Sequence, residues 1–517
     1  DQADAITANT AKVGITQDQA DAITAASTYV SFDGGNLSVG TATLNTNTGS
    51  DNTVFGSGSM YTNTSGSYNT AIGRYSLTLN TTGNNNNGLG NNSLYNNTTG
   101  SSNVAVGHYS LFSNTTADNN VAIGDQSLFS NTTGRLNAAL GARSLRNNTT
   151  GDYATGLGAN ALVANTSGSG NTAVGTNAME SNTTGASNTV SGWNSLVTNT
   201  TGSYNVSMGV NSMFKNVEGS NNVAIGASAL YNSTVSGNVA VGNEAMYSNT
   251  TGQYNVGVGD GALRSNTSGE TNTAVGKGSL SANTTGDQNT ALGHASLEAN
   301  STGANNTAMG AYSQWKNTTG QYNSSLGLSS LQENTEGIIN TAMGVWSMRQ
   351  NTTGSRNTAF GYEGLYSNTT GEKNSSLGAD AGFSNSTGSF NTYLGYFAGY
   401  SNTTGSRNIF LGYEAGYNDN YQSASDKLVI ANSNTTSPLI EGDFSASTLN
   451  VNGALSANSV SAGDVSSTEF TYLDGVTSSI QTQLDAKQTA DDDLADLADG
   501  TLSASKVENN EYFISSA

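Results

Sequence analysis

The stretch Asn69-Thr-Ala-Ile-Gly-Arg-Tyr-Ser-Leu-Thr-Leu-Asn-Thr-Thr-Gly-Asn-Asn85 decides the fold, because this 17-residue phrase recurs from about residue 34 to about residue 418. Its landmark glycine, Gly73, returns as Gly90, Gly107, Gly124, Gly141 and onward to Gly412, 23 times counting from Gly40. The step is 17 residues almost everywhere; Gly40 to Gly56 and Gly226 to Gly242 are steps of 16. A second series, the glycines of Asn-Thr-Thr-Gly, keeps the same phase at Gly66, Gly83, Gly100 and Gly134, with Ala117 in one gap. A short fixed period over hundreds of residues predicts a solenoid whose turns stack on one another.

Within one repeat, Asn-Thr-Ala-Ile reads as a first short strand and Tyr75-Ser76-Leu77 as a second. Gly73 bends the chain between them. Asn-Thr-Thr-Gly turns it back, with Gly and Asn expected at positive φ. Coils stacked about 4.8 Å apart give a rod of roughly 105 Å over 22 steps. Alternation along a strand sends Ala71 and Ile72 to opposite faces. Ala71 and Leu77 then fill the coil. Ile72, Leu89, Val106, Ile123, Leu140, Leu157 and Val174 form an outward apolar ladder. Such a ladder should not face water, so it predicts burial against copies of the same chain in a closed oligomer, for which three chains are expected.

Composition agrees with a polar rod. Hydrophobic residues are 34% and charged residues 10%, which in a chain without phase would read as disorder. The net charge is −21, and 16 scattered Lys and Arg offer no nucleic-acid groove. Without Cys there is no disulfide framework or thiolate metal site. No apolar run reaches the length of a membrane helix. His108 and His294 fall at variable repeat positions, outside any triad or zinc spacing, and the carboxylates are scattered. The expectation is a non-enzymatic protein with no cofactor and no metal.

The surface columns hold the candidates for recognition. Five residues after the landmark glycine stand Tyr61, Tyr95, Phe112, Phe129, Phe214, Tyr231, Tyr247, Trp315, Tyr366, Phe383, Tyr400 and Tyr417. A second column follows the turn, at Tyr68, Tyr153, Tyr204, Tyr254, Tyr322 and Phe390. Aligned rings can stack on sugars or on each other; the first column reads as structural rungs, and the tyrosines of the second are the candidate glycan contacts. Repeated Asn before the strand and before Thr-Thr-Gly predicts hydrogen-bonded Asn ladders. In the last repeats the core Leu becomes Gly382, Gly399 and Gly416, which suggests a coil of different cross-section or a tapered end.

Asn69-Thr-Ala-Ile-Gly73, Asn103-Val-Ala-Val-Gly107 and Asn120-Val-Ala-Ile-Gly124 resemble the head repeats of trimeric autotransporter adhesins, which implies a left-handed parallel β-roll wound as a trimer. The Asn-Thr-Thr-Gly turn resembles repeats of phage tail fibres and of surface proteins that end in an endosialidase-type chaperone domain. The phrase from Thr468 to Lys487 is similar to one common in phage tail fibres. The expected architecture is therefore an all-β homotrimeric parallel β-roll or β-solenoid fibre of 17-residue coils. Residues 1–33 read as a stalk with a poor heptad (Ile6, Val13, Ala20), 34–418 as the array, and 419–464 as a β-rich connector. Residues 465–487 read as a short coiled coil through Leu473, Val476, Ile480 and Leu484, and 488–517 as an acidic tail. The functional expectation is a phage or phage-like tail fibre, virion-borne or extracellular, that binds a glycan or protein receptor on a host surface. A bacterial surface adhesin is the alternative. A single-chain ice-binding solenoid, with Thr-Thr ranks, is the remote one.

Overall fold

A computed structural model describes residues 30–456 and Thr482. Apart from Thr482, the expected coiled coil, the acidic tail and residues 1–29 of the expected stalk lie outside the described residues. The chain divides into Asp1–Asn450 and Val451–Ala517, and the first unit is the β-solenoid.

Each 17-residue period is one coil carrying one three-residue strand. Strand β1 (Val30–Asp33) and β2 (Asn36–Val39) open the array, β3 (Thr53–Phe55) and β4 (Thr70–Ile72) follow, and one strand per coil continues to β24 (Ile409–Leu411). From β2 onward neighbours pair in parallel with the repeat register: Thr70 opposite Asn87, Ala71 opposite Gly88, Ile72 opposite Leu89. Both ends of the stack turn antiparallel. β1 folds back on β2, and β25 (Lys427–Ile430), which pairs in parallel with β24, is covered by β26 (Ile440–Asp443). Strand β27 (Thr448–Val451) follows.

Among the described residues the second expected strand of each coil is absent. Tyr75 and Leu77 sit at φ of 58° and 52°, left-handed corners and not extended chain. Leu77 is nevertheless fully buried, as is Ala71, so the two residues expected inside are inside. A Leu in this region costs roughly 1–2 kcal/mol. Core burial and bonds between coils offset that cost: Leu77 N–H donates to the Ser93 carbonyl at 2.9 Å and Leu79 N–H to that of Tyr95 at 3.0 Å. The polypeptide is thus hydrogen-bonded coil to coil well beyond its strand.

The two glycine series serve different ends. Gly73 lies at φ 131°, where only glycine is at ease, and a Cβ there would stand 2.5 Å from the Gly90 carbonyl oxygen. Gly83 was expected at positive φ and is not. Glycine is needed there for space, because a Cβ would meet Asn80 Oδ1 at 2.5 Å. The positive φ falls two residues later, at Asn85, with 57°.

Two buried Asn ladders run up the unit. In one, each Asn before Thr-Thr-Gly donates from Nδ2 to the Oδ1 of the Asn below, as Asn148 does to Asn131 at 2.9 Å, and to the carbonyl of its own turn glycine, here Gly151 at 3.0 Å. In the other, the backbone N–H before the strand donates to the Asn Oδ1 of the coil below, as Asn86 does to Asn69 at 2.9 Å. The 16-residue coil between Gly226 and Gly242 breaks the first ladder. Ser233 stands where Asn is expected, and Asn216 Oδ1 is left buried without a donor. A second irregularity lies at Gln314, a polar residue in the Leu77 column. Its Nε2 donates to the Thr307 carbonyl at 2.9 Å and to Ser325 Oγ at 2.7 Å, but its Oε1 is orphaned.

The last coils do not narrow. Where Leu becomes glycine, the strand Ala becomes aromatic: Tyr393 and Phe410 point inward and are buried, their rings 5.9 Å apart. A Cβ at Gly382 would lie 2.6 Å from Tyr393 Cδ2. Volume has moved from one wall of the coil to the other. Burial pushes the Tyr393 hydroxyl well above its ordinary pKa, and it donates to Asn385 Oδ1 at 3.2 Å. Tyr421, in the turn Asp419–Tyr421, closes this end against Phe410 at 5.5 Å.

Candidate functional site

The outward side of the strands is the first surface. Ile72, Leu89, Ile123, Leu140 and Leu157 are 37–44% exposed in the single chain, while Val106 and Val174 are half-buried. The column continues through Met208, Ile225, Val275, Met309, Leu326, Met343, Leu377 and Leu394, with Ser191 as a polar interruption. The other outward strand position is mostly Thr or Val and half-buried. The result is one apolar column flanked by a β-branched one. Completing the burial of a rung that is about 40% exposed is worth about 1 kcal/mol.

The first aromatic column forms rungs on the rod itself. Tyr95, Phe112 and Phe129 stack at 5.3 and 5.2 Å; Phe214, Tyr231 and Tyr247 at 5.1 and 5.0 Å; Tyr366, Phe383, Tyr400 and Tyr417 at 5.1, 5.0 and 5.0 Å. A third set, one or two residues after the landmark glycine, packs beside them. Tyr109 meets Phe112 and Phe129 edge-on at 5.2 and 5.9 Å, and Phe397 meets Tyr400 and Tyr417 at 5.2 and 5.6 Å. Sequence reasoning missed this set. Its signal is a spacing of 3 or 20 residues between rings, the second being one coil plus three.

The second column behaves differently. Tyr68, Tyr153, Tyr204, Tyr254 and Tyr322 are 58–65% exposed and occupy the left-handed corner at φ of 57–60°. Among the described residues none of the five stacks on another ring. The Tyr254 ring lies against Gly237, whose added Cβ would stand 3.0 Å from it, so one ring face rests on the rod. Phe390, in the same column, is covered by Lys373 Nζ at 4.6 Å. Isolated rings on a flat polar wall are platforms on which a sugar or another flat apolar group can stack.

Near the C-terminal end the rings carry carboxylates. Tyr396 and Tyr413 stack at 5.9 Å and are nearly half exposed. One coil apart, each two residues past its landmark glycine, stand Glu363 and Asp380. Burial first, then hydrogen bonding to Glu363 and the Glu363 charge, push the Asp380 carboxyl up to about 6. The two histidines are surface residues: His108 Nδ1 lies 3.1 Å from Asp125 Oδ1, and the His294 ring lies 5.1 Å from Tyr312. Among the described residues no group of three or more His, Cys, Asp or Glu is placed to hold a metal ion, and no helix is long and apolar enough to cross a membrane.

The structure therefore separates the predicted residues onto distinct walls, the ladder on the strand wall and the candidate glycan contacts at the corner after the turn. No protein-family model, curated protein or solved structure matches the chain.

Proposed function

We propose that this chain is the shaft of a homotrimeric fibre that reaches and binds a cell surface, most simply as a phage or phage-like tail fibre. The observation that carries the reading is the long apolar column outside the strands, interrupted at Ser191. An exposed apolar strip of this length marks an association surface. One apolar column beside a Thr/Val column suits three rods meeting along an axis, each adding one wall to a shared core. The rod supplies length and stiffness through its two Asn ladders. The exposed tyrosines after the turn supply recognition, stacking on sugar rings of a surface polysaccharide, and no bond-making chemistry is required of them. A bacterial surface adhesin would use the same walls in the same way.

The test is adhesion of the labelled chain to a panel of bacterial cells before and after periodate oxidation of their surface glycans. Binding that periodate abolishes, and that Tyr153→Ala, Tyr204→Ala and Tyr254→Ala together weaken at least tenfold, is expected. Binding to no cell, or binding indifferent to both treatments, would sink the recognition half of the reading.

A further inference from the structure

The fifth-position column of rings is interrupted several times, and its longest interruption, four coils, follows Phe129. After Phe129 the fifth position past the landmark glycine is Arg146, Val163, Glu180 and Val197, and the second position past it, beside that column, is Arg143, Asn160, Asn177 and Asn194. With no rings to fill it, the groove between the columns opens into a surface hollow of about 360 Å³, lined by Gln126, Arg143, Arg146, Asn160, Val163 and Glu180. That volume falls within the range of small-ligand clefts, about 300–1,000 Å³. We propose that this hollow binds an acidic sugar, a pyranose bearing a carboxylate, within a longer surface polysaccharide. The proposal deepens the glycan-binding reading above and rests on it for the biological setting.

Charge and geometry select the ligand. The 517-residue chain carries a net charge of −21, yet Arg135, Arg143 and Arg146, three of its 16 basic residues, fall in 12 consecutive residues. Arg146 is held in place: its Nε donates to Gln126 Oε1 at 2.8 Å, and its guanidinium lies 5.5 Å from the Phe129 ring centre. Arg143 and Glu180, among the described residues, have no side-chain hydrogen bond or ion pair. Two guanidinium groups at one end present planar N–H forks that match a carboxylate. Asn160, joined to Asn177 at 3.1 Å, and the Glu180 carboxylate line the other end, where they meet hydroxyl groups. The same Glu180 disfavours more highly charged sulfated or phosphorylated sugars. Val163 supplies the apolar floor that a ring needs.

The experiment is calorimetric titration of the whole chain with a linear tri-uronate, its carboxyl-reduced neutral counterpart, and a sulfated trisaccharide of equal length. The expected result is one site per chain for the tri-uronate, weakening with added salt, and no measurable binding of the neutral sugar. Arg143→Ala and Arg146→Val each should weaken it at least tenfold. Both substitutions fit their columns, since Ala295 occupies the Arg143 corner at φ 52° and Val163 the Arg146 position. Lack of tri-uronate binding, equal binding by the variants, or tighter binding of the sulfated sugar overturns the proposal. Cell adhesion without tri-uronate binding removes the hollow and leaves the adhesive fibre standing. Tri-uronate binding without cell adhesion does the reverse.

Discussion

Replacing Asn148 by Ala should open the rod locally and measurably. Asn148 is fully buried. Its Nδ2 donates to Asn131 Oδ1 at 2.9 Å and to the Gly151 carbonyl at 3.0 Å, and its Oδ1 accepts from Asn165 Nδ2 at 2.8 Å. Alanine removes all three bonds, but the losses are unequal. The Gly151 carbonyl still accepts from Asn137 at 2.9 Å, and Asn165 still donates to the Gly168 carbonyl at 3.0 Å. Asn131 Oδ1 is left with nothing, and one N–H of Asn165 is freed. An orphaned buried group costs about 1–3 kcal/mol; with Asn165 keeping its bond to Gly168 and so losing only the lower end of that range, the pair should cost about 2–4 kcal/mol. In a linear array the damage stays with the coil and its neighbours. Amide hydrogen exchange by mass spectrometry should therefore show local exchange faster by roughly 30- to 1,000-fold over residues 128–170, with distant coils unchanged. Asn147→Ala is the control, because that side chain is only partly buried and outside the ladder; it should change exchange less than about threefold. An Asn148→Ala variant indistinguishable from the control would refute the claim that the ladder stabilises the rod. So would acceleration spread evenly along the chain, which would refute nearest-neighbour behaviour.

Gly141→Ala should destabilise its coil by more than about 2 kcal/mol in chemical denaturation, since glycine is there at φ 132° and a Cβ would meet the Gly158 carbonyl at 2.6 Å. Gly382→Leu should clash with Tyr393, and adding Tyr393→Ala should recover at least about 1 kcal/mol in a double-mutant cycle; strict additivity would deny the exchange of volume between the two walls. Asp380, with its carboxyl pushed up to about 6 from an unfolded value of 3.8, holds its proton more tightly when folded. Its contribution is therefore best below pH 4 and is lost as pH rises through 6. Asp380→Asn should accordingly raise the thermal midpoint at pH 7 and abolish this part of the pH dependence; a midpoint unchanged at pH 7 contradicts the assignment. Leu140→Glu with Leu157→Glu should leave circular dichroism intact and lower the molecular mass in solution, because both side chains already face outward.

Much of the fold could be read from period alone. The repeat length sets which residues stack, so Ala71, Leu77, the Ile72 ladder and the Asn ladders follow from phase and alternation. The left-handed corners at Tyr75 and Leu77 did not, because they are imposed by coil closure and by the bond from Leu77 to Ser93, which local propensity does not register. The glycine of Thr-Thr-Gly was assigned to conformation when its reason is space: at Gly83 an added Cβ would meet the Asn80 amide three residues back and the Gly100 carbonyl 17 residues on. Gly382 and Tyr393 are 11 residues apart and look like unrelated substitutions until both are placed inside the same coil. The hollow at Arg143 and Arg146 was equally hidden. It depends on residues one coil plus three apart, Gln126 to Arg146, and on the rings that are missing there.

Light scattering on the purified chain in solution tests whether the ladder is buried between chains. The outward ladder has rungs such as Ile72, Leu140 and Leu157, each about 40% exposed in one chain, and the proposed fibre buries them between chains. The account predicts a mass three times the 52.7 kDa of the single chain, unchanged on dilution. A mass of 52.7 kDa would contradict it, leaving the ladder in water and returning the single-chain solenoid as the better description.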